Sequence, residues 1–187
     1  MQRSKQRTRL RILDAAFGSF WRQGFLRVSM DDIAERAGIT KRALYQHFRS
    51  KDDLMAETLA HSSRLAMDRL RRFPRAGTPE TFIDTFFADL ADWASKPKWS
   101  GGGFTRVVVE LADLRGHPAR AIARSHKTAV EQWLADGLKI GRVPLPRERA
   151  REIMLLMEGC MALMLIHSDR SYAKTAAQAA KKLVRRP

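Results

Sequence analysis

Apolar residues along this chain return every three or four positions, the spacing of a helix, and hardly ever alternate as they would in a half-buried strand. Leu10, Leu13, Phe17 and Phe20 form one stripe, with Ala16 beside it, and the pattern stops at Gly24, a common C-terminal signal. Met30, Ile33, Ala34 and Ala37 make a second, shorter stripe closed by Gly38. Ala43, Leu44 and Phe48 anchor a third helix over residues 41–48, which ends before Ser50, and a long fourth runs from 51 toward 72. The Pro- and Gly-containing stretch 73–77 marks a boundary. After it, Thr78 caps a helix that takes Pro79 at its first position and extends to about 94. The stretch 96–103, Lys-Pro-Lys-Trp-Ser-Gly-Gly-Gly, reads as a flexible loop. Further helices are predicted over 104–114, 118–140, 147–168 and 171–186. The one β-branched cluster, Val107-Val108-Val109, continues into Glu110-Leu111-Ala112 and suits a buried helix better than a strand. The predicted fold is all-α: a small N-terminal module over 1–50, a linker helix over 51–73, and a larger helical body over 74–187.

Three of the early helices begin at a hydroxyl residue: Ser29, Thr40 and Ser50. After Ser29 and Ser50, an aspartate three residues on (Asp32, Asp53) can reach back in the manner of a capping box. The helix after Thr40 differs, because Lys41 and Arg42 occupy its first turn, where the helix dipole favours anions. That local penalty makes sense if an external anion sits there, since free N–H groups, a hydroxyl cap and two cations form a good phosphate site. The connection Ala37-Gly38-Ile39-Thr40 puts glycine at the bend and an apolar residue behind it. Two short helices joined in this way make a helix-turn-helix, whose second helix lies in the major groove of DNA. With Ala43, Leu44 and Phe48 inward, Lys41, Arg42, Tyr45 and Gln46 reach outward. Arg and Lys can read guanine, Gln can read adenine, and Tyr can touch a thymine methyl or a phosphate.

Composition narrows the alternatives. The 187 residues carry 35 Lys and Arg against 20 Asp and Glu, for a net charge of +15, which favours a polyanionic partner. The excess is spread along the chain: 12 basic against 7 acidic residues through position 60, and 23 against 13 beyond. Charge alone therefore does not locate the binding face, and it leaves room for a second reading, a non-specific basic nucleic-acid-binding or nucleoid-associated protein. Cys160 is the single cysteine, which excludes an internal disulfide framework and fits a reducing cytoplasm. No apolar stretch follows the basic start, so no secretory signal is expected. The longest apolar run, 153–166, is broken by Glu158 and falls short of the roughly 18–20 residues that span a bilayer. His61, His117, His126 and His167 are dispersed, and no His, Cys or carboxylate has helical ligand spacing with His47. No nucleophile–base pair is readable. An enzyme, a metal site and a resident cofactor are not expected.

The segments "RLRILDAAFGSFWRQGF", "VSMDDIAERAGI" and "RALYQHFRSKDDL" resemble the DNA-binding domain of the TetR family of bacterial transcriptional regulators, nearly continuously over residues 9–54. "LYQHF" fits that family's Leu-Tyr-x-His-Phe pattern and "SKDDL" its Ser-Lys-x-x-Leu. The resemblance implies that Thr40, Tyr45, His47 and Lys51 clamp the phosphate backbone, as does Ser29 at the start of the second helix. Lys41, Arg42 and Gln46 match positions that touch bases.

The resemblance also implies a homodimer paired through the last two helices, bound to a double-stranded, pseudo-palindromic operator and released by a small-molecule effector. Residues 153–157 and 160–166 are apolar on nearly every face, as suits a helix held between a core and a partner. Gly159 permits close approach, and Ala173, Ala176, Ala177, Ala179 and Ala180 give the last helix a small-residue surface. For the effector, Phe86, Trp93, Phe104, Trp133 and Met157 are candidate pocket residues, with Glu110 and Glu158 as polar contacts. Ordinary core packing is the competing reading for all of them. Glu158, an acid inside an apolar run, needs a partner, and an arginine is expected.

Overall fold

The computed structural model describes residues 2–74, 77–97 and 99–185, and for Gln2 only its backbone. Among them no strand occurs. The helices are α1 (Gln2–Gln23), α2 (Met30–Arg36), α3 (Lys41–Tyr45), α4 (Lys51–Arg71), α5 (Pro79–Ala94), α6 (Gly103–Glu110), α7 (Pro118–Ile140), α8 (Pro146–His167) and α9 (Ser171–Val184). None is long and apolar enough to cross a membrane. The part of the joint at 75–76, Lys98 in the loop, and the predicted end of the last helix at 186 lie outside the described residues.

Local chemistry fixes most of the boundaries. Gly24 ends α1 at φ +99°, its N–H donating to the Phe20 carbonyl at 2.9 Å. Ser29 and Asp32 form the expected capping box on α2, with the Ser29 hydroxyl accepting from the Asp32 N–H and the Asp32 carboxylate accepting from the Ser29 N–H. At α4 the second box is displaced by one residue: Ser50 accepts from the Asp53 N–H, but the Asp53 carboxylate takes the N–H of Arg49. Thr78 caps α5 and Pro79 opens it.

The chain divides into two compact units, Met1–Asp68 with Gly103–His126, and Arg69–Gly102 with Lys127–Pro187. The sequence divides it once, near residue 74; the observed first unit instead takes in α6 and the start of α7. The reason is apolar. Val107, Leu111, Ala119 and Ala123 are buried in the same core as Ile12, Phe20, Ile33, Leu44, Phe48 and Leu59. Gly103 is the entry point. The sequence places it in a flexible loop, yet it is buried at the first position of α6, and a Cβ there would lie 2.0 Å from Cε2 of Trp21. Only a glycine admits the indole.

The stripe expected on α1 is rotated. Leu10 and Phe17 are 44% and 40% exposed, while Ile12, Leu13, Ala16 and Phe20 are buried. Phe17 stacks on Trp21 at 4.3 Å, and Trp21 meets Phe25 and Phe104 edge-on, so the aromatic wall runs along the side of α1. α3 ends at Tyr45 rather than at 48, and α6 ends at Glu110 rather than at 114, its last residues passing into hydrogen-bonded turns.

In the second unit α9 lays Ala173, Ala176, Ala177 and Ala180 against α5 and α8 of its own chain. Phe73, Phe82, Phe86 and Trp133 form an aromatic cluster, with Phe73 and Trp133 5.3 Å apart. Gly137 lets Phe82 in: a Cβ there would come within 2.6 Å of its ring.

Substituting Gly103 by Ala is expected to lower unfolding free energy by about 1–3 kcal/mol, the usual cost of overpacking. Gly116→Ala, where an added methyl meets nothing within 4 Å, serves as the control and stays within about 0.5 kcal/mol. Urea denaturation of both variants checks this.

Candidate nucleic-acid interface

α2 and α3 are joined by a Schellman turn. The Ile39 N–H bonds the Ala34 carbonyl and the Gly38 N–H bonds that of Glu35, both at 3.0 Å, with Gly38 at φ +63°. A residue with a Cβ is strained in that conformation, so glycine sets the sharp bend that aims α3. Thr40 then caps α3, its hydroxyl accepting from the Ala43 N–H at 3.1 Å. The helix is held by Leu44, with Phe48 just beyond it, both essentially fully buried. Lys41, Arg42, Tyr45 and Gln46 stand in solvent.

α1 braces this pair. Arg11 donates to the carbonyl of Ala37 at 2.6 Å, at the end of α2. Arg9 donates to the carbonyl of His47 at 2.7 Å, pairs with Glu57 at 3.0 Å, and lies over the Phe48 ring at 4.3 Å. The turn between α1 and α2 is clipped from both sides. Glu110 on α6 accepts the N–H groups of Phe25 (2.7 Å) and Leu26 (3.1 Å), and Lys51 donates to the Leu26 carbonyl at 2.7 Å. Arg106 completes the clip, donating to Glu110 at 2.7 Å and to the Trp21 carbonyl at 3.1 Å.

The eight residues singled out for DNA therefore share one unit, but in different states. Ser29 is exposed and its hydroxyl already donates to Asp32 at 2.7 Å; the two hydrogen bonds from Ser29 hold the Asp32 carboxyl below the usual carboxylate range. Lys41 pairs with Asp31 of α2 at 2.8 Å, which pushes its ammonium pKa up. Both partners are over half exposed, so the pair adds little stability and the lysine can exchange Asp31 for another anion. Lys51 is half-buried, and desolvation draws its pKa down. His47 is half-buried, with Nδ1 out of solvent and unpartnered. Burial first, then the charges of Lys5 and Arg9, pull its pKa below the ordinary 6.5.

Arg9, Arg11 and Arg106 are site-building residues that sequence reasoning misses, and Glu110 is one to which it gives another role. The backbone groups that these four hold lie 26 to 85 residues away. The alternating cations of "RSKQRTRLR" are the available signal for the first two.

The expected effector residues are divided between the two units. Phe104 and Glu110 belong to the first unit; Phe86, Trp93, Trp133, Met157 and Glu158 belong to the second. Glu110 is a correction: its carboxylate is committed to two backbone N–H groups and Arg106, which leaves it a clip. Phe104 stacks on His126 at 3.7 Å. In the second unit Phe86 and Trp133 meet in the aromatic cluster, with Trp133 Nε1 donating to the Leu70 carbonyl at 2.9 Å. Trp93 meets Trp99 edge-on at 5.8 Å, and Met157 is buried. Glu158 pairs with Lys127, a lysine in place of the expected arginine. Among the described residues no group of three His, Cys, Asp or Glu is placed to hold a metal ion.

Comparison with known proteins supplies the family. The family of bacterial regulatory proteins named tetR matches residues 12–58, the stretch containing the capped helices, the Schellman turn and the exposed face of α3. The helix-turn-helix domain belongs to the TetR family. The HTH-type transcriptional regulator TtgR of Pseudomonas putida is 40% identical over 67 residues, which is 36% of this chain and 31% of TtgR. The chain thus matches less than a third of that relative's length. A longer likeness runs to the HTH-type transcriptional regulator YjdC of Escherichia coli, 23% identical over 87% of this chain and 86% of YjdC. The crystal structure of reduced NemR from E. coli shares the fold, with a TM-score of 0.87 at 19% identity over 96% of this chain and 98% of NemR. The likeness of fold to NemR thus extends through nearly the whole chain.

Removing the Glu110 carboxylate is expected to strand the partly buried Phe25 N–H. Glu110→Ala should lose about 1–3 kcal/mol of stability, and Glu110→Gln, which keeps an acceptor oxygen, distinctly less. Equal losses in denaturant titrations would show that the charge, rather than the acceptor, matters.

Proposed function

We propose that this protein is a ligand-responsive transcriptional regulator that represses by binding a pseudo-palindromic operator as a homodimer in the bacterial cytoplasm. One observation carries the reading: within the TetR-family stretch, Arg42, Tyr45 and Gln46 project into solvent from a helix whose inward side is locked by Leu44 and Phe48. An exposed polar face on a rigid helix is what base reading in the major groove needs. Lys41, Arg42 and Gln46 reach base edges; Ser29, Thr40, Tyr45, His47 and Lys51 take backbone phosphates. The Asp31 carboxylate gives Lys41 up to the DNA. Ser29 contributes by turning its hydroxyl from Asp32.

The dimer reading is supported by α8. Leu155 and Ile166 are 71% and 70% exposed, and Gly159 between them has open space where a side chain would go. With Leu163 they make an apolar face at helical spacing, the kind of surface a second copy would cover. The alanines of α9 face inward, so α8 supplies most of the apolar contact and α9 its polar rim. For the effector, the second-unit residues Phe86, Trp93, Trp133, Met157 and Glu158 are the better candidates, now that Glu110 is committed and Phe104 lies with the DNA-binding unit. Effector and operator weaken each other's binding by the same factor, with a coupling of about 1–3 kcal/mol. No catalytic step is assigned.

Selection from a random duplex pool is expected to enrich one symmetric site; enrichment of none would favour a non-specific basic binder. On the selected site, Arg42→Ala should cost about 1–3 kcal/mol and relax preference at one position in each half-site. Ile166→Glu is expected to give a monomer in sedimentation at a concentration where the parent is a dimer. Binding should also be proton-linked. His47 sits among Lys5 and Arg9 of α1, with Glu57 of α4 held by Arg9, and it is neutral at neutral pH. A phosphate brought against it favours the imidazolium, so the complex takes up a proton. Affinity therefore rises as pH falls through the range in which the bound imidazole takes up its proton, and His47→Gln flattens the profile.

A further inference from the structure

The first turns of α1 carry cations to which the helix-turn-helix reading gives no contact with DNA. Arg3, Lys5, Arg7, Arg9 and Arg11 alternate along the sequence, and on a helix alternation sends them to two sides: 3, 7 and 11 in one row, 5 and 9 in another. The second row faces the end of α3. There Arg9 holds the His47 carbonyl, and Lys5, Gln6, Arg9, Gln46 and His47 line an open recess of about 420 Å³.

Its chemistry is one-sided. Among the described residues that line the recess there is no carboxylate, and Glu57, which pairs with Arg9, is not one of them. Lys5 and Gln6 are exposed, and Gln46 is exposed on the opposite rim. Burial first, then the charges of Lys5 and Arg9, lower the proton affinity of His47. The recess is lined by an ammonium, a guanidinium, two amides and an imidazole. Its wall includes Gln46, which stands on the face assigned to base reading. An anion in this recess would lie beside whatever α3 touches.

We infer that Lys5 and Gln6 take a backbone phosphodiester of the bound duplex in the recess they share with Arg9, Gln46 and His47, extending the DNA-binding surface from the helix-turn-helix onto α1. The inference rests on the DNA-binding reading above. It adds a phosphate interaction that carries no sequence information itself and instead fixes how α3 sits in the groove.

The test uses the full-length protein and the operator obtained by selection, with binding followed by fluorescence anisotropy over a range of salt concentrations. Lys5→Ala should weaken binding to the operator and to a scrambled duplex by similar factors. It should also reduce the slope of log affinity against log salt by about 1, the share of one neutralised phosphate. Adding Gln6→Ala should weaken both duplexes further without changing the slope again. Arg7→Ala removes the same charge from the opposite side of α1 and is the control, expected to leave the slope as it was. An unchanged affinity and slope for Lys5→Ala would overturn the proposal, and so would an equal loss for Arg7→Ala, which would assign the effect to diffuse charge. The DNA-binding reading fails separately, if the unsubstituted protein prefers no site. Melting temperatures of the three variants, expected to match the parent, keep a folding defect from passing as weakened phosphate binding.

Discussion

A helix of five residues has no stability of its own; nucleation alone is unfavourable, and isolated helices several times longer are marginal in water. α3 exists because Leu44 and Phe48 are buried beneath it, each contributing roughly 1.5–3 kcal/mol of apolar burial. The exposed face of α3 depends on those two side chains. Arg9 reinforces them, lying over the Phe48 ring and bonding the adjacent carbonyl, so one arginine joins packing, hydrogen bonding and charge at the end of the helix.

The polar side of the same region is arranged for exchange. Lys41 leans on Asp31 across the turn in a solvent-exposed ion pair, which adds little stability and costs little to break. Lys51 and Glu110 behave differently. They hold the backbone of the α1–α2 turn through hydrogen bonds to N–H and C=O groups, and those bonds define where the second helix starts. Exposed charges paired only with each other and partly buried charges that hold the backbone thus occupy neighbouring positions.

Much of this is legible in sequence wherever the cause is local. Glycine at 24 and 38, hydroxyl caps at 29, 40 and 78, and Pro79 place helix ends within a residue or two, because capping involves side chains only three or four positions apart. α5 and α7 fall where periodicity puts them. Legibility fails where the cause is remote. Phe17 looks like core on a helical wheel, yet it faces outward, since the neighbour that matters is Trp21 and the wall it builds with Phe104 comes from a segment 87 positions away by numbering. Glu110 looks like a ligand-binding acid because a carboxylate in an apolar stretch invites that reading; its partners, the N–H groups of Phe25 and Leu26, carry no sequence signature at all. Gly103 sits in a run of three glycines that suggests mobility, and only the indole above it reveals a packing role.

The first compact unit is discontinuous in the chain: it leaves at Asp68 and resumes at Gly103. A fragment cut after the fourth helix would keep every residue that the family signature requires and still lack Val107, Leu111, Arg106 and Glu110, which seal one flank and pin the first turn. Modular transplantation of this head onto a foreign body would deliver an unfinished core. The autonomy suggested by a short, self-contained motif belongs to its sequence, and the folded object is assembled from two separate stretches of polypeptide.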